Sequence, residues 1–184
     1  MAGLGEQLGR DLDKIRDAGL WRELREIESV QSTRITFGGR EFINFSSNDY
    51  LGLAAHPALG QAAVEAIERF AVGSGASRLI CGSLQPHHEL ETALAKWQEA
   101  EAALVFSTGF AAAQGVLTSL LGQGDILILD KKSHASMIDA AKLSGATLRV
   151  FRHNDLEHLE KLLQWAGAQG GRVLVATESV FSMD

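Results

Sequence analysis

The sequence predicts an α/β fold with a mostly parallel central sheet and flanking helices. Four short apolar runs at 102–106, 126–129, 148–151 and 173–176 alternate with helical patterns at about 109–121, 134–144 and 155–166. Strands that alternate with helices indicate parallel βαβ units with right-handed crossovers. With 46% hydrophobic residues among 184, the chain is long enough to bury a core without a disulfide or a metal.

The amino-acid composition excludes several classes of function. Lys and Arg total 17 against 23 Asp and Glu, so the chain lacks the basic surface that nucleic acids or anionic lipids require. The single cysteine, Cys81, cannot form an internal disulfide, which favours a reducing compartment. No apolar run approaches the ~20 residues of a membrane span, and the acidic start is not typical of a signal peptide. We therefore expect a cytoplasmic protein that binds neither nucleic acid nor membrane.

Residues 1–55 are predicted to form a helical arm and a short β hairpin. Apolar residues recur at helical spacing at Leu4, Leu8, Leu12 and Ile15. Gly19 is expected to bend or end this helix. Two β-forming stretches at 34–37 and 41–45 then flank Gly38-Gly39, a dipeptide typical of a tight hairpin turn.

Residues 56–184 are predicted to form part of a larger domain. Pro57 occupies the position that proline prefers at the first residue of a helix. The stretch 71–86 is rich in glycine and serine and has no helical period, which is typical of a functional or mobile loop. Asn154 and Glu157 have the spacing of a capping box, so the last helix is expected to begin after Asn154.

Ligands of open parallel sheets bind at the carboxyl ends of strands. This rule selects three candidate ligand-binding segments, at 107–110, 130–136 and 177–184. In the first segment, the helix start at Gly109 offers free backbone N–H groups that suit a phosphate. An ordinary capped helix is the alternative. In the second segment, His134 could stack on a planar ligand or act as an acid or base, and a capping histidine is the alternative.

Other residues are weaker candidates for a catalytic, metal-binding or nucleotide-binding role. Lys131 and Lys132 could act as amine nucleophiles, but adjacent lysines in a loop are more often a solvated pair. His87 and Glu91 have the spacing of two metal ligands on a helix, yet no third ligand follows at a suitable spacing, so we expect no metal. Neither GxGxxG nor GxxxxGK[ST] occurs, so no motif supports a dinucleotide site or a P-loop.

Five segments, in this order, resemble the α-oxoamine synthases, pyridoxal-phosphate-dependent enzymes that condense an amino acid with an acyl thioester. They are NFSSNDYLGLAAHP at 44–57, GSGASRLICGSLQPHHELE at 73–91, STGFAAAQG at 107–115, DKKSHASMIDAAKLS at 130–144 and TESVFSMD at 177–184. Their order is similar to that in the N-terminal half of these enzymes. The resemblance implies a truncated part of the large domain of a fold-type-I transferase, and a homodimer in the full-length form.

The resemblance also implies roles toward the cofactor, pyridoxal phosphate. Gly109 and Phe110 match residues whose backbone amides hold the phosphate. His134 matches the catalytic histidine that stacks on the pyridine ring and lies beside the substrate. Ser182 matches a serine that contacts the cofactor, and Glu178 lies beside it.

The resemblance further implies the substrates, a small amino acid and an acyl thioester. Arg22 and Asn48 match positions associated with substrate, and 73–82 matches a segment near the active sites of the dimer. NFSSNDYLGL is most similar to the 8-amino-7-oxononanoate synthases of biotin biosynthesis, which condense L-alanine with a pimeloyl thioester. Ala113 departs from that subfamily, in which asparagine is common. The segment RLICG also resembles the glycine C-acetyltransferases (2-amino-3-ketobutyrate CoA ligases).

In this family the Schiff-base lysine, the aspartate that pairs with the ring nitrogen and a further histidine lie downstream of the motif that ends at Asp184. The chain's six lysines match none of the family's lysine context: Lys14, Lys96, Lys131, Lys132, Lys142 and Lys161. We therefore expect that this polypeptide alone does not catalyse the condensation, and that an unpaired sheet edge lowers its solubility. A non-catalytic partner subunit and a general anion-binding α/β module are the alternatives from other classes.

Overall fold

The structure, a computed structural model, describes residues 3–182 and comprises two compact units, Met1–Gly75 and Ala76–Asp184. The first unit contains α1 (Leu4–Asp17), β1 (Arg34–Phe37), β2 (Arg40–Ile43) and α2 (Pro57–Phe70). The second contains a π-helical turn (Arg78–Gly82), α3 (Gln85–Trp97), α4 (Gly109–Leu120), β3 (Ile126–Asp130), α5 (Ala135–Ser144), β4 (Thr147–Phe151), α6 (Leu156–Gly167) and β5 (Val173–Ala176). The expected division after residue 55 falls within the first unit, just before α2, and the domain assignment stays a prediction.

Local turn chemistry defines the elements of the first unit. α1 ends just before Gly19, whose φ of +67° favours glycine. Gly38 and Gly39 both have positive φ, as a type I′ hairpin turn requires, and they join the antiparallel β1 and β2. Pro57 is the first residue of α2, as predicted, and the His56 side chain caps this helix.

The second unit is built on a three-stranded parallel sheet in the order β4-β3-β5. Ile126 pairs with Thr147 on one side and with Val173 on the other, so the three strands begin at the same edge. Their carboxyl ends therefore also meet at one edge. This arrangement agrees with the predicted parallel sheet and with the apolar runs at 126–129, 148–151 and 173–176.

Helices cover both faces of β3. Leu127 packs with residues of α4 and α5, among them Leu117 and Ala140. Ile126 and Ile128 pack on the opposite face with residues of β4 and α6. All five residues of β3 are buried, which explains why its first four, 126–129, form a continuous apolar run rather than an alternating one.

Two local expectations are wrong. Residues 102–106 form no strand: no described strand lies beside them, and the backbone N–H of Val105 donates to a side-chain oxygen of Glu91 instead. The N-cap of α6 is Asp155 rather than Asn154, and its carboxylate accepts from the backbone N–H of His158. Asn154 itself takes a left-handed conformation with φ +55°. Both residue types favour caps, and the backbone decides which of them is used.

Among residues 3–182, no helix is both long enough and apolar enough to span a bilayer.

Candidate functional site

A cavity of about 790 Å³ opens in the second unit beside the end of β5 and the starts of α4 and α5. It is lined by Gly109, Phe110, Ala112, Ala113, Val116, Leu117 and Leu120 of α4, by His134, Ser136 and Met137 near the start of α5, and by Leu174, Val175, Ala176 and Glu178. Most of these side chains are apolar, and the few polar groups lie near the helix starts. This is the general composition of a small-molecule site.

The start of α4 supplies two free hydrogen-bond donors. Thr108 is the N-cap, and its hydroxyl accepts from the backbone N–H of Ala111 at 3.0 Å. The N–H of Ala112 bonds to the carbonyl of Thr108. Among the described residues, the backbone N–H groups of Gly109 and Phe110 have no partner, and the helix dipole adds positive potential there. A Cβ at Gly109 would meet no atom within 4 Å, so this helix start is open to a ligand.

His134 caps α5 and lines the cavity. Its Nδ1 accepts from the backbone N–H of Ser136 at 3.2 Å and lies 2.8 Å from the Ser136 hydroxyl. A backbone N–H can only donate, so Nδ1 is the acceptor and Nε2 carries the hydrogen of the neutral ring. The predicted capping role and the predicted contact with a ligand are therefore compatible in one side chain.

Glu178 connects the end of β5 to this histidine. Its Oε2 accepts from the backbone N–H of His134 at 2.6 Å, across 44 residues of sequence. Glu178 is half-buried and lines the same cavity as Gly109 and Phe110. The carboxylate thus fixes the backbone of His134 and lies near a helix start, where negative charge is favoured.

Of the seven predicted site residues, the structure brings four together in one cavity: Gly109, Phe110, His134 and Glu178. Ser182 is exposed in the segment after β5 and does not line the cavity. Arg22 and Asn48 are exposed residues of the first unit, and the Tyr50 hydroxyl lies 3.5 Å from the side-chain oxygen of Asn48. The roles of all seven residues remain predictions.

None of the lysines lines this cavity. Each is exposed, including Lys131 and Lys132 in the turn after β3. Among the described residues, no group of three or more His, Cys, Asp and Glu is arranged to hold a metal. Glu91, one of the two weak candidates for a ligand, is bonded to Arg78 instead.

A second cluster joins Asp130 and Phe181, which lie in segments that the strand-end rule selected, to His153, which that rule did not select. Asp130, at the end of β3, is 2% exposed and accepts from Nδ1 of His153 at 3.0 Å. The ring of Phe181 meets the His153 ring edge-on, with centroids 4.6 Å apart. Burial raises the pKa of Asp130, but hydrogen bonds from Lys132, His153 and Asn154 outweigh it and hold the pKa below its ordinary value. The signal available for His153 was that it follows β4, another strand of the parallel sheet.

Residues 40–184 match the protein family described as aminotransferase class I and II. The chain is 45% identical over 179 residues to the 8-amino-7-oxononanoate synthase of Geotalea daltonii, an alignment that covers 97% of this chain and 46% of that protein. The chain therefore spans about half the length of the curated relatives it matches.

Two solved structures are similar across most of the chain. A serine palmitoyltransferase variant from S. paucimobilis with a bound PLP–myriocin aldimine superposes with a TM-score of 0.86 at 33% identity, covering 99% of this chain and 48% of that one. The 8-amino-7-oxononanoate synthase of Francisella tularensis superposes with a TM-score of 0.63 at 31% identity, covering 76% and 37%. These similarities confirm the predicted fold class.

Proposed function

The chain belongs to the family of class I and II aminotransferases, and on that premise we propose that it forms the amino-terminal half of a pyridoxal-phosphate-dependent α-oxoamine synthase. The reaction we propose is that of 8-amino-7-oxononanoate synthase: L-alanine and a pimeloyl thioester give 8-amino-7-oxononanoate, CO₂ and the free thiol. The observation that carries this proposal is one cavity lined both by an open helix start and by an imidazole. Identity of 45% to a relative of that activity supports the choice of substrates.

The residues present fit a flat, phosphorylated cofactor. The unpaired N–H groups of Gly109 and Phe110 would hold the phosphate, since a helix start with open space in front of it is a ready anion site. The imidazole of His134, which lines the same cavity, would cover the ring of pyridoxal phosphate. When bound, that cofactor supplies an electron sink for the negative charge that develops at the Cα of the amino acid.

The protein's own groups orient His134 and line the cavity. Glu178 fixes the backbone of His134, and Ser136 occupies Nδ1 of its ring, so the hydrogen of the neutral ring lies on Nε2. Val116, Leu120 and other residues of α4 give the cavity an apolar wall, against which the flat face of a cofactor could pack.

We propose that the chain is not catalytic by itself, because no lysine lines the cavity and all six are exposed. An enzyme of this kind would need a lysine beside the cofactor to hold it. The same observation favours a second candidate of another class, a non-catalytic partner subunit of a related enzyme. The roles of Ser182, Arg22 and Asn48, a homodimeric full-length form and a cytoplasmic location belong to the proposal as predictions.

A chimera tests the activity. The chain is joined to the part of the Geotalea daltonii relative that lies beyond the matched region, and the product is assayed with L-alanine and pimeloyl-CoA. The proposal predicts 8-amino-7-oxononanoate from the chimera and none from the 184-residue chain alone. Product from glycine and acetyl-CoA instead would assign the chain to the glycine C-acetyltransferases. A folded chimera that binds pyridoxal phosphate without turnover would favour the partner subunit.

A pair of variants tests the phosphate site. In the chimera, Gly109→Asp places a carboxylate in front of the free N–H groups and should weaken pyridoxal phosphate binding at least about tenfold, because like charges then meet. Gly60→Asp, an open position in α2, is the control and should leave binding unchanged. Equal affinities for the two variants would contradict the placement of the phosphate at α4.

A further inference from the structure

Three loops meet at the carboxyl edge of the sheet. Contacts between their residues link each loop to the other two, and we call this closed set of contacts a circuit. Asp130 ends β3 and His134 lies in the loop after it, His153 lies in the loop after β4, and Glu178 and Phe181 lie in the segment after β5. Bonds or ring contacts join Asp130 to His153, His153 to Phe181, and Glu178 to His134. We call these five residues the carboxyl-edge clamp. His153 is the member that contacts both other loops.

The clamp holds the turn that precedes His134. Asp130 Oδ1 accepts from the backbone N–H of Lys132 at 2.8 Å, and the Asp130 carbonyl accepts from the N–H of Ser133. The Ser133 hydroxyl is buried and makes no hydrogen bond among the described residues, so it does not hold the turn. The Asp130 carboxylate is therefore the side chain that holds this turn, beside two backbone bonds from the N–H groups of Lys131 and Ser133.

His153 in turn fixes that carboxylate. Asp130 Oδ1 accepts from its Nδ1 at 3.0 Å, and its Nε2 lies 3.1 Å from the side-chain amide nitrogen of Asn154. These contacts suit a neutral ring with the hydrogen on Nδ1. The edge contact with Phe181 also fixes the plane of the His153 ring and attaches the segment that holds Glu178.

From this circuit we propose that Asp130 and His153 are positioning residues for His134, and that they set its place over the cofactor. The proposal rests on the proposed function for the identity of the ligand, but the positioning of His134 can be measured without any ligand. Loss of the His153 donor leaves the Asp130 carboxylate with the backbone N–H groups of Lys132 and Asn154 as its donors, and so loosens its hold on the turn. The imidazole of His134 then samples several positions, and a ligand must restrict it on binding.

The opposite edge of the sheet offers a matched control. Asp125, 8% exposed, precedes β3 and accepts from the backbone and side chain of Arg172 and from the N–H of Gly122. It is a buried carboxylate of similar connectivity, but it lies at the amino ends of the strands. A merely structural role for the clamp predicts that Asp125→Asn and His153→Phe have the same consequences.

The experiment measures two quantities on the 184-residue chain: the affinity for phosphopyridoxyl-L-alanine, a stable reduced adduct that needs no lysine, and amide hydrogen exchange at His134. His153→Phe keeps a ring against Phe181 but removes the donor. We expect about tenfold weaker binding and about tenfold faster exchange at His134, the usual effect of losing a hydrogen bond to a charged group. His153→Asn restores a donor near the Nδ1 position and should remain within about twofold of the unchanged chain.

Asp125→Asn should lower the urea midpoint at least as much as His153→Phe. It should leave the affinity for the adduct and the amide exchange at His134 unchanged. Equal exchange at His134 in these two variants would overturn the proposal. If the unchanged chain does not bind the adduct, the proposed function fails, while the exchange data still decide the positioning role. If His153→Phe does not fold, Phe181→Ala breaks the same circuit, and unchanged exchange at His134 in that variant would also overturn the proposal.

Discussion

The two units of the molecule have similar apolar patterns but differ in what they bury. In the second unit, Leu127 and Ile128 of β3 are 0% exposed and helices cover both faces of the strand. In the first unit, no residue from 3 to 75 is buried, and the apolar stripe of α1 is between 41% and 71% exposed at Leu4, Leu8, Leu12 and Ile15. An apolar stripe therefore predicts the helix, while burial requires a second apolar face beside it.

The residues of the candidate site and the predicted substrate residues show the same difference in burial and contacts. Gly109, His134 and Glu178 are held by a buried strand and by helix caps, and their positions follow from the sheet. Arg22 and Asn48 lie on exposed segments of the first unit. Gly109, His134 and Glu178 thus share one cavity, whereas Arg22 and Asn48 are connected to substrate by resemblance.

The two units should differ most in the loss of stability when an apolar side chain is truncated to alanine. Leu127→Ala should lower the free energy of unfolding of the second unit by about 3 kcal/mol, because a cavity remains in a packed core. Leu12→Ala in α1, where the side chain is 42% exposed, should change stability by less than about 0.5 kcal/mol. Urea unfolding followed by circular dichroism measures both. Similar costs would mean that the two units do not differ in packing.

Low pH is expected to destabilise mainly the second unit. Hydrogen bonds from Arg78 and then from Val105 lower the pKa of Glu91 from 4.5 to about 2, and bonds from the backbone and side chain of Arg172 lower that of Asp125 from 3.8 to about 2. The folded state therefore binds fewer protons than the unfolded state. The stabilisation is complete above the ordinary pKa values and is lost as the pH falls toward 2.

Urea midpoints measured from pH 7 to pH 2 test this. Glu91→Gln and Asp125→Asn should each flatten the acid side of the stability curve. Glu65→Gln in α2, whose exposed carboxylate contacts Gln61, serves as the control in the first unit. A curve for Glu91→Gln that still falls as steeply as that of the unchanged chain would contradict the role of the Arg78 pair.

The smallest expected effect is a change in stability of opposite sign when two helical glycines are replaced by alanine. A Cβ at Gly115 of α4 would lie 2.5 Å from the ring of Phe106, whereas one at Gly60 of α2 would meet nothing within 4 Å. Gly115→Ala should destabilise by about 1 kcal/mol, because the ring must move. Gly60→Ala should stabilise by up to about 1 kcal/mol through helix propensity. Thermal unfolding of both variants checks the signs, and two stabilising changes would show that Phe106 does not pack on α4.

Local sequence signals were sufficient where a short segment of the chain decides the conformation. The continuous run at 126–129 predicted β3, Pro57 predicted the start of α2, and the strand-end rule selected His134 and Glu178. Residues 102–106 were wrongly predicted as a strand, because a strand exists only beside a partner and nothing local shows its absence. The bond between Asp130 and His153 joins residues 23 positions apart, and it depends on the register of β3 and β4, which no local pattern encodes.

The central claim is that the free N–H groups at the start of α4 hold the phosphate of pyridoxal phosphate while His134 covers its ring. A crystal structure of the 184-residue chain soaked with phosphopyridoxyl-L-alanine tests it directly. The account predicts phosphate oxygens within hydrogen-bonding distance of the backbone nitrogens of Gly109 and Phe110, with the imidazole against the pyridine ring. Well-defined density for the adduct elsewhere on the chain, away from α4 and His134, would contradict it.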